Sequence, residues 1–114
     1  MDEKESKQAV WALSTSNPEI AEKLKKILRS VEDPELGYNV IELGLIRDVV
    51  LTDESLRITM ILTTPFCPYA GDMVENVRLA AAHASEAQVF VDLRFDPWDP
   101  AMMEEGLDFD WGLF

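Results

Sequence analysis

The sequence predicts one small α+β domain in which a mixed three-stranded sheet carries its helices on one face. First, 47% of the 114 residues are hydrophobic, which is enough to bury a core. Second, two apolar runs flank a short polar segment, which is typical of an antiparallel hairpin. Third, a helical pattern lies between that hairpin and an alternating segment, which favours a crossover to a parallel strand. The predicted order is α-β-β-α-β.

The first predicted helix follows a charged stretch, residues 1–15, which we expect to be a flexible, partly ordered arm. Its residues 9–13 are apolar enough to dock on the domain. Ser16 or Asn17 can cap this helix, Pro18 suits its first turn, and Glu19 favours the positive end of the helix dipole. Apolar residues then recur at helical spacing, which predicts an amphipathic helix. They are Ile20, Leu24, Ile27, Leu28 and Val31.

The hairpin is predicted after a loop over residues 32–39, where a proline and a glycine interrupt regular structure. Residues 45–51 and 56–63 are rich in apolar and β-branched side chains, as strands are. The short polar segment 52–55 joins them. We therefore expect the two strands to pair antiparallel.

The second helix is predicted over residues 69–84, after Pro68, which suits a first helical position. Its expected buried stripe consists of Met73, Val77, Ala80, Ala81 and Ala84. Residues 88–95 then alternate as a half-buried strand does. Val89, Val91, Leu93 and Phe95 fall on one side, and Phe90, Asp92 and Arg94 fall on the other.

The charge balance excludes several classes of partner. With 22 acidic and 10 basic residues, the chain carries a formal charge of −12. Nucleic acids and anionic membranes attract clustered Lys and Arg, so we expect neither as a partner. No signal peptide or membrane-length apolar run is visible, and the single cysteine excludes an intramolecular disulfide. These features favour a cytoplasmic location.

The last residues differ in composition from the predicted domain, residues 16–105. Residues 96–114 contain six acidic side chains and no Lys or Arg. Residues 106–114 form an acidic tail with large apolar groups, which a disordered acidic segment would lack. This tail either packs back on the domain or engages a partner.

Cys67 is the strongest candidate for chemistry. It lies between Pro65 and Pro68, where the second apolar run ends and the second helix begins. Unpaired N–H groups at a helix start favour an anion, so a thiolate would be stabilised there. Free cysteines are also often buried structural residues, so both interpretations stay open.

Neither a nucleophilic pair nor a metal site is easily built within one chain. His83 is the only histidine, and sixteen helical residues would place it roughly 24 Å from Cys67. Iron–sulfur clusters typically require four thiolates. Two copies of Cys67 in a homodimer could hold a labile cluster if carboxylates or exogenous thiols completed the coordination. The nearest candidate carboxylates are Asp33, Glu35 and Glu42, although capping a turn is the commoner role for such residues.

Four ordered motifs together resemble the iron–sulfur cluster assembly family, which includes SufT-like proteins, PaaD-like proteins and eukaryotic cytosolic assembly factors. They are Val-Glu-Asp-Pro-Glu-Leu-Gly (31–37), Ile-Glu-Leu-Gly-Leu-Ile (41–46), Leu-Thr-Thr-Pro-Phe-Cys-Pro (62–68) and Phe-Asp-Pro-Trp (95–98), before Met103. The resemblance spans about residues 20–105. Many members carry Thr after the tryptophan and Ser after the later methionine, where this chain has Asp99 and Glu104.

The resemblance implies an accessory role in iron–sulfur cluster assembly, with no enzymatic turnover. It implies that Cys67 is the reactive thiol or the metal contact, and that a cluster or iron is bound transiently, with no stable cofactor. The supporting residues of the motifs are Asp33, Glu35, Glu42, Thr63, Thr64 and Trp98. The implied partners are iron–sulfur assembly proteins and apo client proteins.

Three mechanisms stay open. Cys67 could bind a cluster or iron and pass it on, or the domain could be an adaptor that docks assembly machinery and clients without metal. The third is a thiol-dependent enzyme that uses Cys67, which we favour least because no general base is within reach in the sequence.

Overall fold

The computed structural model describes residues 9–34, 36–53, 55–64, 68–85 and 87–103. The elements of this part are α1 (Ala12–Ser16), α2 (Pro18–Leu28), α3 (Val40–Leu43), β1 (Ile46–Thr52), β2 (Ser55–Met60), α4 (Ala70–Ser85), β3 (Gln88–Leu93) and a 3-10 turn (Pro100–Met102). The longer elements follow the predicted order α-β-β-α-β. The predicted fold class is confirmed.

The three strands form one mixed sheet in the order β1-β2-β3. β1 and β2 are antiparallel, and Val49 lies opposite Ile58. β2 and β3 are parallel, and Ile58 lies opposite Val91. The register shifts between Ile46 and Asp48, so one extra residue, Arg47, forms a bulge near the start of β1.

Alternation along the strands gives the sheet one apolar and one polar face. Leu56, Ile58 and Met60 on β2 are fully buried, whereas Arg57 between them is exposed. The same alternation places Val89 in the core and Phe90 on the open face. α4 packs between β3 and α2, and α1 packs on β1 and α2. The core therefore lies between the apolar face and the helices.

Local sequence explains both long helices. In α2, the Asn17 side chain accepts a hydrogen bond from the Ile20 N–H at 3.4 Å, and Pro18 occupies the first turn, as predicted. The buried residues of α2 are Ala21, Leu24 and Leu28. The buried stripe of α4 consists of Met73, Val77, Ala81 and Ala84, which confirms the predicted stripe except for Ala80, which is only partly buried.

Residues 9–15 of the predicted arm pack against the domain, so for them the expected docking applies and the description as flexible does not. Trp11 is 4% exposed, and its indole N–H donates to the Ile46 carbonyl at 3.0 Å. Leu13 in α1 is fully buried. Burial of each such side chain is worth about 1.5–3 kcal/mol, which holds this stretch against the domain. Residues 1–8 lie outside the described part.

Two further boundaries differ from the predicted ones. α4 begins at Ala70, so Pro68 lies in a turn before the helix and not in its first turn. β3 ends at Leu93, and Phe95 is 69% exposed and not part of the buried face. The predicted tail, residues 106–114, lies outside the described residues. No helix in the described part is long and apolar enough to cross a membrane.

Candidate functional site

The segments that carry the sequence motifs meet at one edge of the sheet. Because β2 and β3 are parallel, the chain leaves both strands at the same edge. The Arg94 N–H donates to the Met60 carbonyl at 2.8 Å, and the Ile61 N–H donates to the Leu45 carbonyl at 2.9 Å. The ends of parallel strands are where open α/β sheets place ligand crevices. This edge is therefore the candidate functional site.

Asp33 joins the first motif to the third. Its side chain is 2% exposed, and Oδ1 accepts from the Leu36 N–H at 3.3 Å. Oδ2 accepts from the Thr63 hydroxyl at 3.5 Å, across 30 positions of sequence. A buried carboxylate is retained only where donors satisfy it, so these contacts fix the position of the Asp33 turn against Thr63.

Backbone bonds hold the Asp33 turn in shape. The Asp33 N–H donates to the Tyr38 carbonyl at 2.9 Å, and the Gly37 N–H donates to the Asp33 carbonyl at 2.9 Å. Gly37 has a φ of +78°, which a side chain would oppose. The Asp33 carboxylate is thus presented by a tight, internally bonded turn.

Glu42 has a structural position and not a ligand-like one. Its Oε1 accepts from the Asn39 N–H at 2.9 Å, while Asn39 Oδ1 accepts from the Glu42 N–H at 2.8 Å. This reciprocal pair is a capping box at the start of α3. The capping role weighed from the sequence for Glu42 is the one that the structure assigns.

Trp98 joins the fourth motif to the second. Its indole N–H donates to the Leu43 carbonyl at 2.7 Å, across 55 positions of sequence. Beside it lies a cleft of about 260 Å³. The cleft is lined by Leu62, Thr63, Arg94, Phe95, Asp96, Pro97 and Trp98. The third and fourth motifs therefore share one concave surface.

Gly44 brings the end of the described chain against α3. With a φ of +73°, it ends α3 in the left-handed conformation. A Cβ at this position would lie 2.0 Å from the Met102 carbonyl oxygen. Only glycine permits this approach, so Gly44 packs the segment after Trp98 onto the second motif.

Arg47 is the cationic group that the β1 bulge adds next to α3. Its guanidinium donates to the Gly44 carbonyl at 2.9 Å. Partial burial lowers the pKa of Arg47 by desolvating its charged form. The guanidinium thus satisfies a carbonyl at the end of α3.

Cys67 and Glu35, two of the predicted site residues, lie outside the described residues. The chain on either side of Cys67 is described. Thr64 is half-buried in a bend directly after Thr63, and Pro68 and Tyr69 are exposed before α4. Connectivity therefore tethers Cys67 between the Asp33-bonded Thr63 and the start of α4.

The described residues of the site edge form no metal-binding group among themselves. Within those residues, no three His, Cys, Asp or Glu side chains are grouped so that they could hold a metal ion. His83 is exposed in the last turn of α4, about 20 Å along the helix from its first residue. The site edge therefore offers a tethered thiol segment, a buried carboxylate and a cleft lined by both apolar and charged residues.

Three contacts of this edge were missed in the sequence. The capping box could have been found, because Asn39 and Glu42 have the required spacing. The approach of Gly44 to Met102 and the choice of Leu43 as the acceptor for Trp98 leave no local signal, because both join residues more than fifty positions apart.

Comparisons with known proteins agree with this arrangement. The model of the family described as "Iron-sulfur cluster assembly protein" matches residues 21–93. An Fe-S protein maturation auxiliary factor of Porphyromonas gingivalis is 41% identical over 87 residues, which cover 74% of this chain and 83% of that protein. The Bacillus subtilis Fe-S protein maturation auxiliary factor YitW is 39% identical over 70 residues, 60% of this chain and 69% of that protein.

A solved structure shares the fold. The crystal structure of a domain of unknown function, DUF59, from Bacillus anthracis superimposes with a TM-score of 0.71 at 30% identity. The superposition covers 81% of this chain and 91% of that one. The matched family region contains Asp33, Glu42 and Thr63 but ends before Trp98.

Proposed function

We propose that this chain, which belongs to the iron–sulfur cluster assembly protein family, is an accessory factor in the maturation of iron–sulfur proteins. It works with assembly proteins and apo client proteins in the cytoplasm and catalyses no turnover of its own. The names of its relatives in Porphyromonas gingivalis and Bacillus subtilis support the accessory role.

The observation that carries the proposal is the bond between the buried Asp33 carboxylate and Thr63. This bond anchors the segment from Thr63 to Pro68, which contains the only cysteine of the chain. Ordering one end of a short segment reduces the conformational freedom of the thiol and so lowers the entropic cost of engaging a cluster or a client.

In the proposed mechanism, the cluster or iron is cargo. A thiolate is the form of cysteine that ligates metals. One thiol is fewer than the four that a cluster usually requires, so the donor protein, the client or a small thiol supplies the remaining ligands. Shared ligation of this kind favours release, because each exchange of a ligand loosens the hold of this chain on the cargo.

The cleft beside Trp98 favours a second candidate function, that of an adaptor. Phe95 lines this cleft and is 69% exposed, which is unusual for a large aromatic residue. An apolar side chain of a client or an assembly protein could fill the cleft without contact to the thiol. In that case binding, and not cluster contact, would be the main contribution.

Anaerobic cluster transfer tests the proposal. Wild type and Cys67→Ala are incubated with iron, sulfide and a small thiol, and transfer to an apo-ferredoxin is followed by absorption and circular dichroism. We expect the wild type to accelerate transfer and Cys67→Ala to fall to the rate without accessory protein. Equal rates for the two proteins would contradict the role of Cys67.

A matched variant separates the two candidate functions. Phe95→Ala removes an exposed ring from the cleft and should leave folding unchanged. If the domain is an adaptor, this variant loses capture of assembly partners while Cys67→Ala retains it. If the domain carries cargo through Cys67, Cys67→Ala loses cluster transfer, and Phe95→Ala transfers clusters at a rate close to that of the wild type.

A further inference from the structure

A second cleft is lined in part by residues of α3 and takes no part in the proposed function. Its volume is about 110 Å³. Its walls include Trp11, Lys25, Ile41, Ile46 and Met102. They bring one end of β1, a lysine of α2 and the last described turn together, and we refer to this site as the α2 cleft.

The α2 cleft is bordered by the most basic stretch of an acidic protein. Four of the ten Lys and Arg residues lie within residues 23–29. Lys23 and Lys26 are exposed on α2, and Lys25 lies in the wall of the cleft, with its ammonium 5.4 Å from the centre of the Trp11 ring. In a chain of net charge −12, this concentrates positive potential beside a cleft whose walls are both apolar and polar.

The chain continues from this cleft into a segment of complementary chemistry. Met102 lines the cleft, and the buried Met103 fixes the point from which residues 104–114 depart. Those eleven residues contain four carboxylates and no Lys or Arg. Their apolar residues Leu107, Phe109, Trp111 and Leu113 occupy alternate positions, with Asp108, Asp110 and Gly112 between them. Such alternation gives an extended segment one apolar and one polar side.

The length of this segment suffices for the contact. Eleven extended residues span about 36 Å, whereas the eleven residues of α2 span about 16 Å. We infer that residues 104–114 dock in cis along α2 and its cleft, with one apolar side chain in the depression and their carboxylates against Lys23, Lys25 and Lys26.

The Trp98 cleft is a poorer acceptor for the same segment. The cation among its lining residues, Arg94, is paired with Asp96 at 3.7 Å. On α2, Lys25 is likewise paired with Glu22 at 3.9 Å, but Lys23 and Lys26 add two exposed cations on the same helix. This excess of positive charge on α2 favours the α2 cleft over the Trp98 cleft.

Paramagnetic relaxation in the full chain tests the inference. A nitroxide is attached at Gly112→Cys in a Cys67→Ser background, so that the label has one site. We expect the amides of Lys25, Ile41 and Ile46 to lose most of their peak intensity, and those of His83 and Phe90 to keep theirs. In about 1 M salt, where the screening length falls to about 3 Å, the loss should largely disappear.

Charge reversal supplies the matched control. The triple change Lys23→Glu, Lys25→Glu and Lys26→Glu should restore the peak intensities around the cleft. Arg57→Glu, on the open face of the sheet, should leave the losses unchanged. Three results would overturn the inference: losses centred on Thr63 and Phe95, losses only between labelled and unlabelled molecules in a mixture, or no selective loss.

Discussion

The two ends of β2 and β3 are built by different kinds of contact. At the hairpin end, Thr52 lies opposite Ser55, and the turn between them contains Asp53 with a φ of +49°. At the other end, the bond from Thr63 to Asp33 spans 30 positions and the bond from Trp98 to Leu43 spans 55. At the hairpin end, the turn between β1 and β2 needs only neighbours in sequence, whereas the site edge is held by contacts across the fold.

This difference indicates that the regions that stabilise the fold are distinct from the region that we expect to carry the function. The core between the apolar face of the sheet and the helices, with fully buried side chains from both, supplies most of the hydrophobic stabilisation. The site edge depends on a few polar bonds and one close backbone approach, each replaceable by a single substitution. Changes there should therefore affect cluster transfer out of proportion to their effect on stability, except where the backbone itself collides.

The largest expected effect is that of Gly44→Ala. The new Cβ would overlap the Met102 carbonyl oxygen, 2.0 Å away, in a backbone with a φ of +73°. Left-handed conformation and overpacking together should lower the free energy of unfolding by about 2–5 kcal/mol. Urea denaturation measures the loss.

Gly37→Ala is the matched control for Gly44→Ala. Gly37 has a φ of +78°, and a Cβ there would meet nothing within 4 Å. Its cost should be conformational alone, about 1–2 kcal/mol. Equal costs for the two variants would show that the Met102 approach does not constrain the site edge.

The next effect is that of Asp33→Ala. It leaves the Leu36 N–H and the Thr63 hydroxyl without their acceptor in a buried place, at a cost of about 1–3 kcal/mol. Cluster transfer should fall further than this loss of stability explains, because the segment leading to Cys67 loses its anchor. Transfer rates are compared at a temperature where the variant is fully folded.

Asp33→Asn shows whether geometry or charge matters at this position. The amide oxygen can still accept from Leu36, and the Thr63 hydroxyl can accept from the amide nitrogen. If the anchor is geometric, Asp33→Asn retains most of the transfer rate. A variant as inactive as Asp33→Ala would show that the negative charge itself is required.

The two indole bonds compare two contacts at the same end of the sheet, only one of which adjoins the Trp98 cleft. Trp98→Phe removes the donor to the Leu43 carbonyl, and Trp11→Phe removes the donor to the Ile46 carbonyl, which lies opposite Met60. Each loss should cost about 0.5–1.5 kcal/mol in the free energy of unfolding. We expect Trp98→Phe alone to slow cluster transfer or partner capture, because its cleft adjoins Thr63. Similar transfer rates for both variants would remove the functional distinction between the two bonds.

Most of the fold could be predicted because its signals are local. The Asn17 cap, the stripe from Met73 to Ala84 and the polar hairpin turn each occupy a few consecutive residues. The contacts of the arm were not predicted, because they are not local. Trp11 and Leu13 are buried by contact with distant residues, Ile46 among them, and nothing within residues 9–15 indicates that partner.

The candidate site could be predicted only in part. The motifs identified its residues, but not that Asp33 would be buried against Thr63 or that Trp98 would donate to the Leu43 carbonyl. The sequence identifies which residues have reactive or polar side chains. It does not identify which of them contact each other across thirty or more positions, because those contacts depend on packing. The roles of Cys67 and Glu35 stay predictions.

The smallest expected effect concerns a local pair far from the site edge. Arg78 bonds to Glu75 one turn earlier on α4, with Nε 3.0 Å from Oε1. This hydrogen bond lowers the pKa of Glu75 below its ordinary value of 4.5. A carboxyl group with a lowered folded pKa adds stability above its unfolded pKa and loses it as the pH falls through the folded value. Wild type should therefore lose slightly more stability than Glu75→Gln between pH ~6 and pH ~3.

Both groups of the Glu75–Arg78 pair are fully exposed, so solvent screens the pair and the rates of cluster transfer should not change. A Glu75→Gln variant with slowed transfer would mean that exposed local contacts also position the site, and the contrast between the two kinds of contact would fail.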